Sequence, residues 1–117
     1  MASVIAMRAR RCAAGAVLAA LACGPASGAD DAALMALGKT LFTVGAVPPC
    51  GTCHTLKDAG TTGAIGPAFD DLQPAPDRVI TALKNGIGAM PSYSGSLSDE
   101  QMRALARYVL KASGGAR

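Results

Sequence analysis

The sequence predicts an all-α fold of three to four short helices. Residues 31–43 and 77–85 carry apolar residues at helical spacing, and the segment after Ser98 adds a clear helix start. No stretch shows a convincing strand pattern. A chain of 117 residues has room for one small domain, which excludes large dinucleotide-binding enzymes and barrels.

The first helix, residues 31–43, contains one unfavourable residue. Its apolar positions recur at helical spacing: Leu34, Leu37, Leu41 and Phe42. Gly38 lies among them and costs about 1 kcal/mol relative to Ala unless another segment packs closely there. Pro48 and Pro49 then stop any helix before Cys50.

The second helix, residues 77–85, ends at Gly86, a residue type favoured just beyond a helix. It lies between two predicted loops, residues 58–68 and 86–95, which are rich in Gly and contain Pro.

The last helix has the strongest signals in the sequence. Ser98 and Gln101 have the spacing of a capping box, in which each side chain bonds the other's backbone N–H. Leu97 and Met102 occupy the positions of a hydrophobic staple, and Gly114 ends the helix.

Residues 1–29 have the pattern of a cleaved secretory signal peptide. Three arginines precede an uncharged apolar run, residues 12–23, and small residues with a proline follow it. The run is shorter than the ~20 residues that a membrane-spanning helix needs. We expect cleavage after Ala29, leaving residues 30–117 as the domain; a retained anchor or lipidation at Cys23 are the alternatives.

The net charge of +3 comes from this leader. Without its three arginines, eight Lys and Arg face eight Asp and Glu, and the net charge is about zero. The domain therefore lacks the basic stripe of a nucleic-acid-binding protein.

The chemistry is concentrated in Cys50-Gly51-Thr52-Cys53-His54, a C-x-x-C-H motif typical of c-type haem attachment. The two thiols can add to the two haem vinyl groups, and the histidine can reach the iron. Three other interpretations are weaker. Structural zinc needs four ligands and this chain supplies three, a thioredoxin-like pair needs a βαβ setting, and a plain disulfide leaves His54 unexplained.

The second iron ligand must be a residue other than histidine, because His54 is the only histidine. A methionine thioether is a known partner of histidine in cytochromes c. Met35 and Met102 lie in predicted helices, where core packing accounts for them. Met90 lies in the 86–95 loop beside Pro91, and is the predicted ligand; gap filling is the ordinary alternative.

The domain resembles small class I, monohaem cytochromes c over nearly its whole length. The shared features run in order along the chain: Gly38 and Phe42 in the first helix, CGTCH, Gly66-Pro67, GAMPSY, and LSDEQMRALARYV with Tyr108. The resemblance implies three to four short helices around one haem c attached through Cys50 and Cys53. It also implies that the first and last helices cross near Gly38 and Tyr108.

The same resemblance implies the roles of the site residues. The Pro67 carbonyl would accept a hydrogen bond from His54 Nδ1, and His54 and Met90 would ligate the iron. The pocket would be lined mainly by aliphatic side chains: Leu72, Val79, Ile80 and Leu83. The protein would be no enzyme but an electron carrier, or the electron-accepting subunit of a dehydrogenase, docking through an apolar patch near Cys50 and Ala89.

The stretch CGTCHTLKDAGTTGAIGP is similar to cytochrome subunits of molybdenum sulfite dehydrogenases. We therefore expect a periplasmic dehydrogenase of this kind as electron donor and a terminal acceptor as the second partner. Two other functions stay open: a five-coordinate haem protein with gas-binding or peroxidase-like activity, and a haem-free, disulfide-closed interaction domain.

Overall fold

The computed structural model describes residues 27–115. Its main elements are four helices: α1 Ser27–Thr40, α2 Phe69–Leu72, α3 Pro76–Asn85 and α4 Asp99–Ala112. A two-stranded antiparallel ladder, β1 Thr55–Leu56 with β2 Thr61–Thr62, lies between α1 and α2. The all-α prediction is confirmed in its helices, and the expectation of no strand is wrong for these four residues.

Helix α1 ends differently from the sequence prediction. It stops at Thr40 and continues as a π-helical turn over Leu41–Gly45, which buries Leu41 and Phe42. A single π turn of this kind points its side chains in directions that differ from those in a regular α-helix. Phe42 is fully buried and meets Tyr108 of α4 edge-on, with ring centroids 5.9 Å apart.

Helices α1 and α4 cross at Gly38, as expected. A Cβ built on Gly38 would lie 2.4 Å from the Ala104 carbonyl oxygen and 2.4 Å from Tyr108 Cβ. The close approach of the two helices that Gly38 allows therefore offsets the unfavourable helix propensity of glycine.

The predicted start of α4 is confirmed in both parts. The Ser98 hydroxyl accepts a hydrogen bond from the Gln101 N–H at 3.1 Å, and Gln101 Oε1 accepts one from the Ser98 N–H at 2.9 Å. Leu97 and Met102 are both buried beneath this turn.

The core is a single cluster between α1, α3, α4 and the segments that join them. Its members are all buried: Leu41, Phe42, Ala46, Leu56, Val79, Leu83, Tyr93, Leu97, Met102, Leu105, Ala106, Tyr108 and Val109. No helix in residues 27–115 is long and apolar enough to cross a bilayer. The predicted signal peptide lies outside the described residues except for Ser27 to Ala29, which begin α1.

Candidate haem site

The C-x-x-C-H motif forms a tight turn at the wall of a large apolar cavity. Residues Cys50–Thr52 make one 3₁₀ turn, and the His54 N–H donates to the Cys50 carbonyl at 2.9 Å. Both cysteine side chains are half-buried and form part of the cavity wall.

The cavity has a volume of about 730 Å³ and a mostly aliphatic and aromatic wall. That volume lies in the range of about 300–1,000 Å³ common for cofactor sites. Leu72, Val79 and Leu83 line it as expected. Ile80 does not; it is half-buried and packs against the core cluster, because it lies on another side of α3.

The imidazole of His54 is held by a hydrogen bond and by a stacked aromatic ring. Its side chain is buried, and Nδ1 lies 2.8 Å from the Pro67 carbonyl oxygen, which can only accept. The Phe69 ring stacks on the imidazole with centroids 4.3 Å apart and planes 14° apart. Because Nδ1 donates to Pro67, Nε2 is the nitrogen with a free lone pair.

A glycine beside the imidazole leaves room for this arrangement. A Cβ on Gly66 would lie 2.4 Å from His54 Cε1, closer than any side chain tolerates. The Gly66 N–H also donates to the Cys53 carbonyl at 2.8 Å. Gly66-Pro67 therefore contributes a close backbone approach as well as the carbonyl that orients the ring.

The β1–β2 hairpin supports the motif from behind. The Thr61 hydroxyl donates to the His54 carbonyl at 2.9 Å and accepts from the Leu56 N–H at 3.1 Å. A Cβ on Gly51 would lie 2.3 Å from Thr61 Cγ2, so any larger residue at that position would force the Thr61 side chain to move.

The sequence reasoning missed Thr61 and Phe69 as supports of His54. The repeated glycines at positions 60, 63 and 66 were the available signal, because such residues permit close backbone approach. Phe69 had no signal beyond being one of four aromatic residues.

Met90 lies in a second tight turn that lines the same cavity. Ile87 and Met90 exchange backbone hydrogen bonds of 3.0 and 2.9 Å, and Gly86 and Gly88 have φ of 70° and 55°. Met90 is half-buried and lines the cavity. Of the three candidate methionines it alone does so, since Met35 and Met102 pack in the core.

A C-x-x-C-H turn, an oriented histidine and an apolar cavity of cofactor size in an all-α fold define a c-type cytochrome. Comparison with known proteins agrees. Residues 33–109 match the family model described as cytochrome C oxidase, cbb3-type, subunit III, and the chain belongs to this family of cytochrome c domains.

Individual relatives give the same class. The chain is 26% identical over 74 residues to cytochrome c-551 of Halorhodospira halochloris, covering 62% of this chain and 94% of that one. It is 35% identical over 94 residues to cytochrome c6 of Rippkaea orientalis, covering 74% of each.

A solved structure matches as well. The c-type cytochrome SorU from Sinorhizobium meliloti is 43% identical, with a TM-score of 0.68 over 74% of this chain and 98% of that one. The protein therefore has the class I cytochrome c fold, carries one haem c attached through Cys50 and Cys53, and transfers electrons rather than acting as an enzyme.

Proposed function

We propose that this cytochrome is a periplasmic electron carrier whose haem iron is ligated by His54 and Met90. The observation that carries the proposal is the cavity itself. Among residues 27–115, the oriented imidazole of His54 and the only cavity-lining thioether, that of Met90, face one cavity from two separate turns.

The haem, when bound, supplies a one-electron iron couple. The chain's residues set its environment. Methionine ligation and an apolar pocket raise the reduction potential, because both favour the less charged, reduced iron. The wall fits the group, with two thiols beside the histidine and aliphatic side chains around them.

The Met90 turn favours six-coordination over a five-coordinate, gas-binding or peroxidase-like site. Its cavity-lining residues are Gly86, Ile87, Ala89, Met90, Pro91 and Tyr93. Only Tyr93 carries a group that could exchange a proton with a bound peroxide, and its hydroxyl already donates to the Pro48 carbonyl.

The periplasmic location rests on the leader sequence. Residues 1–29 combine a basic start, a short apolar run and a small-residue cleavage site. Export also matches the need for both thiols to reach the haem-attachment machinery.

For the partner we propose a molybdenum sulfite dehydrogenase as electron donor and a separate terminal acceptor. The support is the similarity of the loop from Cys50 to Pro67 to cytochrome subunits of such enzymes. Docking would use the exposed apolar rim of the cavity, where Ile65 and Ile87 are 72% and 68% exposed and Ala89 follows Ile87 by two residues. A small redox interface of this kind forms weak, transient complexes.

Met90→Leu tests the ligation, with Met35→Leu as the matched control. The holoprotein is exported with haem-attachment machinery and examined in both oxidation states. Wild type and Met35→Leu should show a ring-current-shifted methionine methyl resonance when reduced and should not bind carbon monoxide. Met90→Leu should lose that resonance, bind carbon monoxide and have a lower reduction potential. A wild type that binds carbon monoxide readily would refute six-coordination.

The partner is tested separately by mixing the ferric holoprotein with purified molybdenum sulfite dehydrogenase and sulfite. Rapid reduction that needs both enzyme and sulfite supports this donor. Reduction no faster than without enzyme would refute it and leave the ligation proposal intact.

A further inference from the structure

The Met90 turn is tied firmly to α3. The Tyr93 N–H donates to the Leu83 carbonyl at 2.7 Å, and the Ser94 hydroxyl donates to the Lys84 carbonyl at 2.7 Å. These bonds satisfy carbonyls at the end of α3, which would otherwise lack partners. They hold the turn to its own helix and do not connect it to the haem-attachment turn.

One side chain bridges the cavity from the Met90 turn to the haem-attachment turn. Tyr93 is 3% exposed, and its hydroxyl donates to the Pro48 carbonyl at 2.8 Å. Tyr93 follows Met90 by three residues, and Pro48 precedes Cys50 by two. Both line the cavity.

The Tyr93–Pro48 hydrogen bond connects two segments that form different parts of the cavity lining. Among residues 27–115, it is the only hydrogen bond between the loop 86–95 and the segment 46–54. It joins positions 45 residues apart, and the phenol sits where water cannot readily replace Pro48 as its partner.

We infer that Tyr93 is a positioning residue. Its hydroxyl forms a latch, the Tyr93–Pro48 hydrogen bond, between the Met90 turn and the haem-attachment turn, and this latch keeps Met90 on the haem iron. This inference rests on the proposed His54 and Met90 ligation. Opening the Met90 turn, which any outside ligand needs before it can reach the iron, breaks the Tyr93–Pro48 bond. Removing the hydroxyl therefore favours the open turn by the net value of one neutral hydrogen bond, about 2- to 12-fold.

The test is the affinity of the ferric holoprotein for imidazole, a small ligand that competes with methionine. Tyr93→Phe removes the hydroxyl and keeps the ring. Tyr108→Phe is the matched control, because that buried tyrosine also donates a hydrogen bond but does not line the cavity. We expect Tyr93→Phe to bind imidazole about 2- to 12-fold more tightly than wild type and Tyr108→Phe to match wild type.

Equal imidazole affinity in all three proteins, with the shifted methionine resonance present in wild type, would overturn the latch alone. An equal increase in imidazole affinity in both variants would also overturn the latch, because the increase would then reflect a general loss of stability. Absence of the methionine resonance from wild type would overturn the ligation and the latch together. The methyl resonance thus separates the two failures.

Discussion

Asp58 joins the hairpin beneath the haem-attachment turn to both terminal helices. Its carboxylate accepts a 2.6 Å hydrogen bond from the Tyr108 hydroxyl and pairs with Lys39 Nζ at 3.2 Å. Tyr108 is 1% exposed, so its hydroxyl depends on this one acceptor. The carboxylate itself is half exposed, which makes the Lys39 pair weak and the Tyr108 bond the main contribution.

We expect Asp58→Ala to lower the free energy of unfolding by about 1–3 kcal/mol, because it leaves a buried hydroxyl without a partner. Tyr108→Phe in the same background should restore part of that loss, since no unsatisfied donor would remain. Denaturant unfolding of the two single variants and the double variant measures the coupling. Asp71→Ala, which removes an exposed carboxylate, is the control and should change stability by less than about 0.5 kcal/mol. Purely additive losses would contradict the bond.

The same contact predicts a pH dependence. The hydrogen bond from Tyr108, and then Lys39, hold the pKa of Asp58 below its ordinary value. A carboxyl whose folded pKa is lowered adds stability above its unfolded pKa, near 4, and loses it as pH falls through the folded pKa. The stability difference between wild type and Asp58→Asn should therefore be largest at neutral pH and shrink below about pH 4. A difference that is constant from pH 7 to pH 2 would contradict this.

Among the elements, the α1–α4 crossing depends most on one residue. Gly38→Ala would place a methyl group 2.4 Å from the Ala104 carbonyl oxygen, and backbone cannot yield as a flexible side chain can. We expect the free energy of unfolding to fall by about 1–3 kcal/mol, the usual cost of overpacking, despite the better helix propensity of Ala. Gly95→Ala, where a Cβ meets nothing within 4 Å, is the control. A stabilised Gly38→Ala protein would show that the helices separate at little cost.

How far the sequence could predict each element depended on the range of its contacts. The capping box of α4 and the end of α3 at Gly86 are local, and their residues stand within a few positions of one another. The strands β1 and β2 are two residues each, too short to show an alternating pattern. The π turn Leu41–Gly45 has no sequence periodicity of its own, so the sequence predicts one helix over residues 31–43.

The same difference between local and long-range contacts decides which parts of the site the sequence predicts. A contiguous motif predicts Cys50, Cys53 and His54, the position of Met90 in the 86–95 loop predicts it as a ligand, and the family resemblance predicts the Pro67 contact. The bond from Tyr93 to Pro48 spans 45 residues, and that from Tyr108 to Asp58 spans 50. Such contacts depend on tertiary packing, and neither residue type nor local spacing indicates them.

For the whole molecule, the distribution of charge and apolar surface determines how a partner would approach. Residues 30–117 contain eight Lys and Arg and eight Asp and Glu, so their net charge is about zero. Asp77 and Arg78, two cavity-lining residues of opposite charge, are neighbours on α3. We therefore expect the rate of electron transfer from its donor to change less than about threefold between low and physiological salt, because long-range steering needs a strong field of one sign.

The apolar rim of the cavity should then supply most of the docking energy. Ile65 lines the cavity and Val44 does not, yet both are 72% exposed, so Ile65→Gln and Val44→Gln make a matched pair. A residue at the centre of a small interface contributes about 1 kcal/mol or more, which corresponds to a loss of about 5-fold or more in affinity. Stopped-flow reduction at donor concentrations below saturation should show that loss for Ile65→Gln and none for Val44→Gln. Neither glutamine changes the net charge, so a slower Ile65→Gln reaction at an unchanged reduction potential reports docking. Equal rates for the two variants would mean that the donor approaches another face of the molecule.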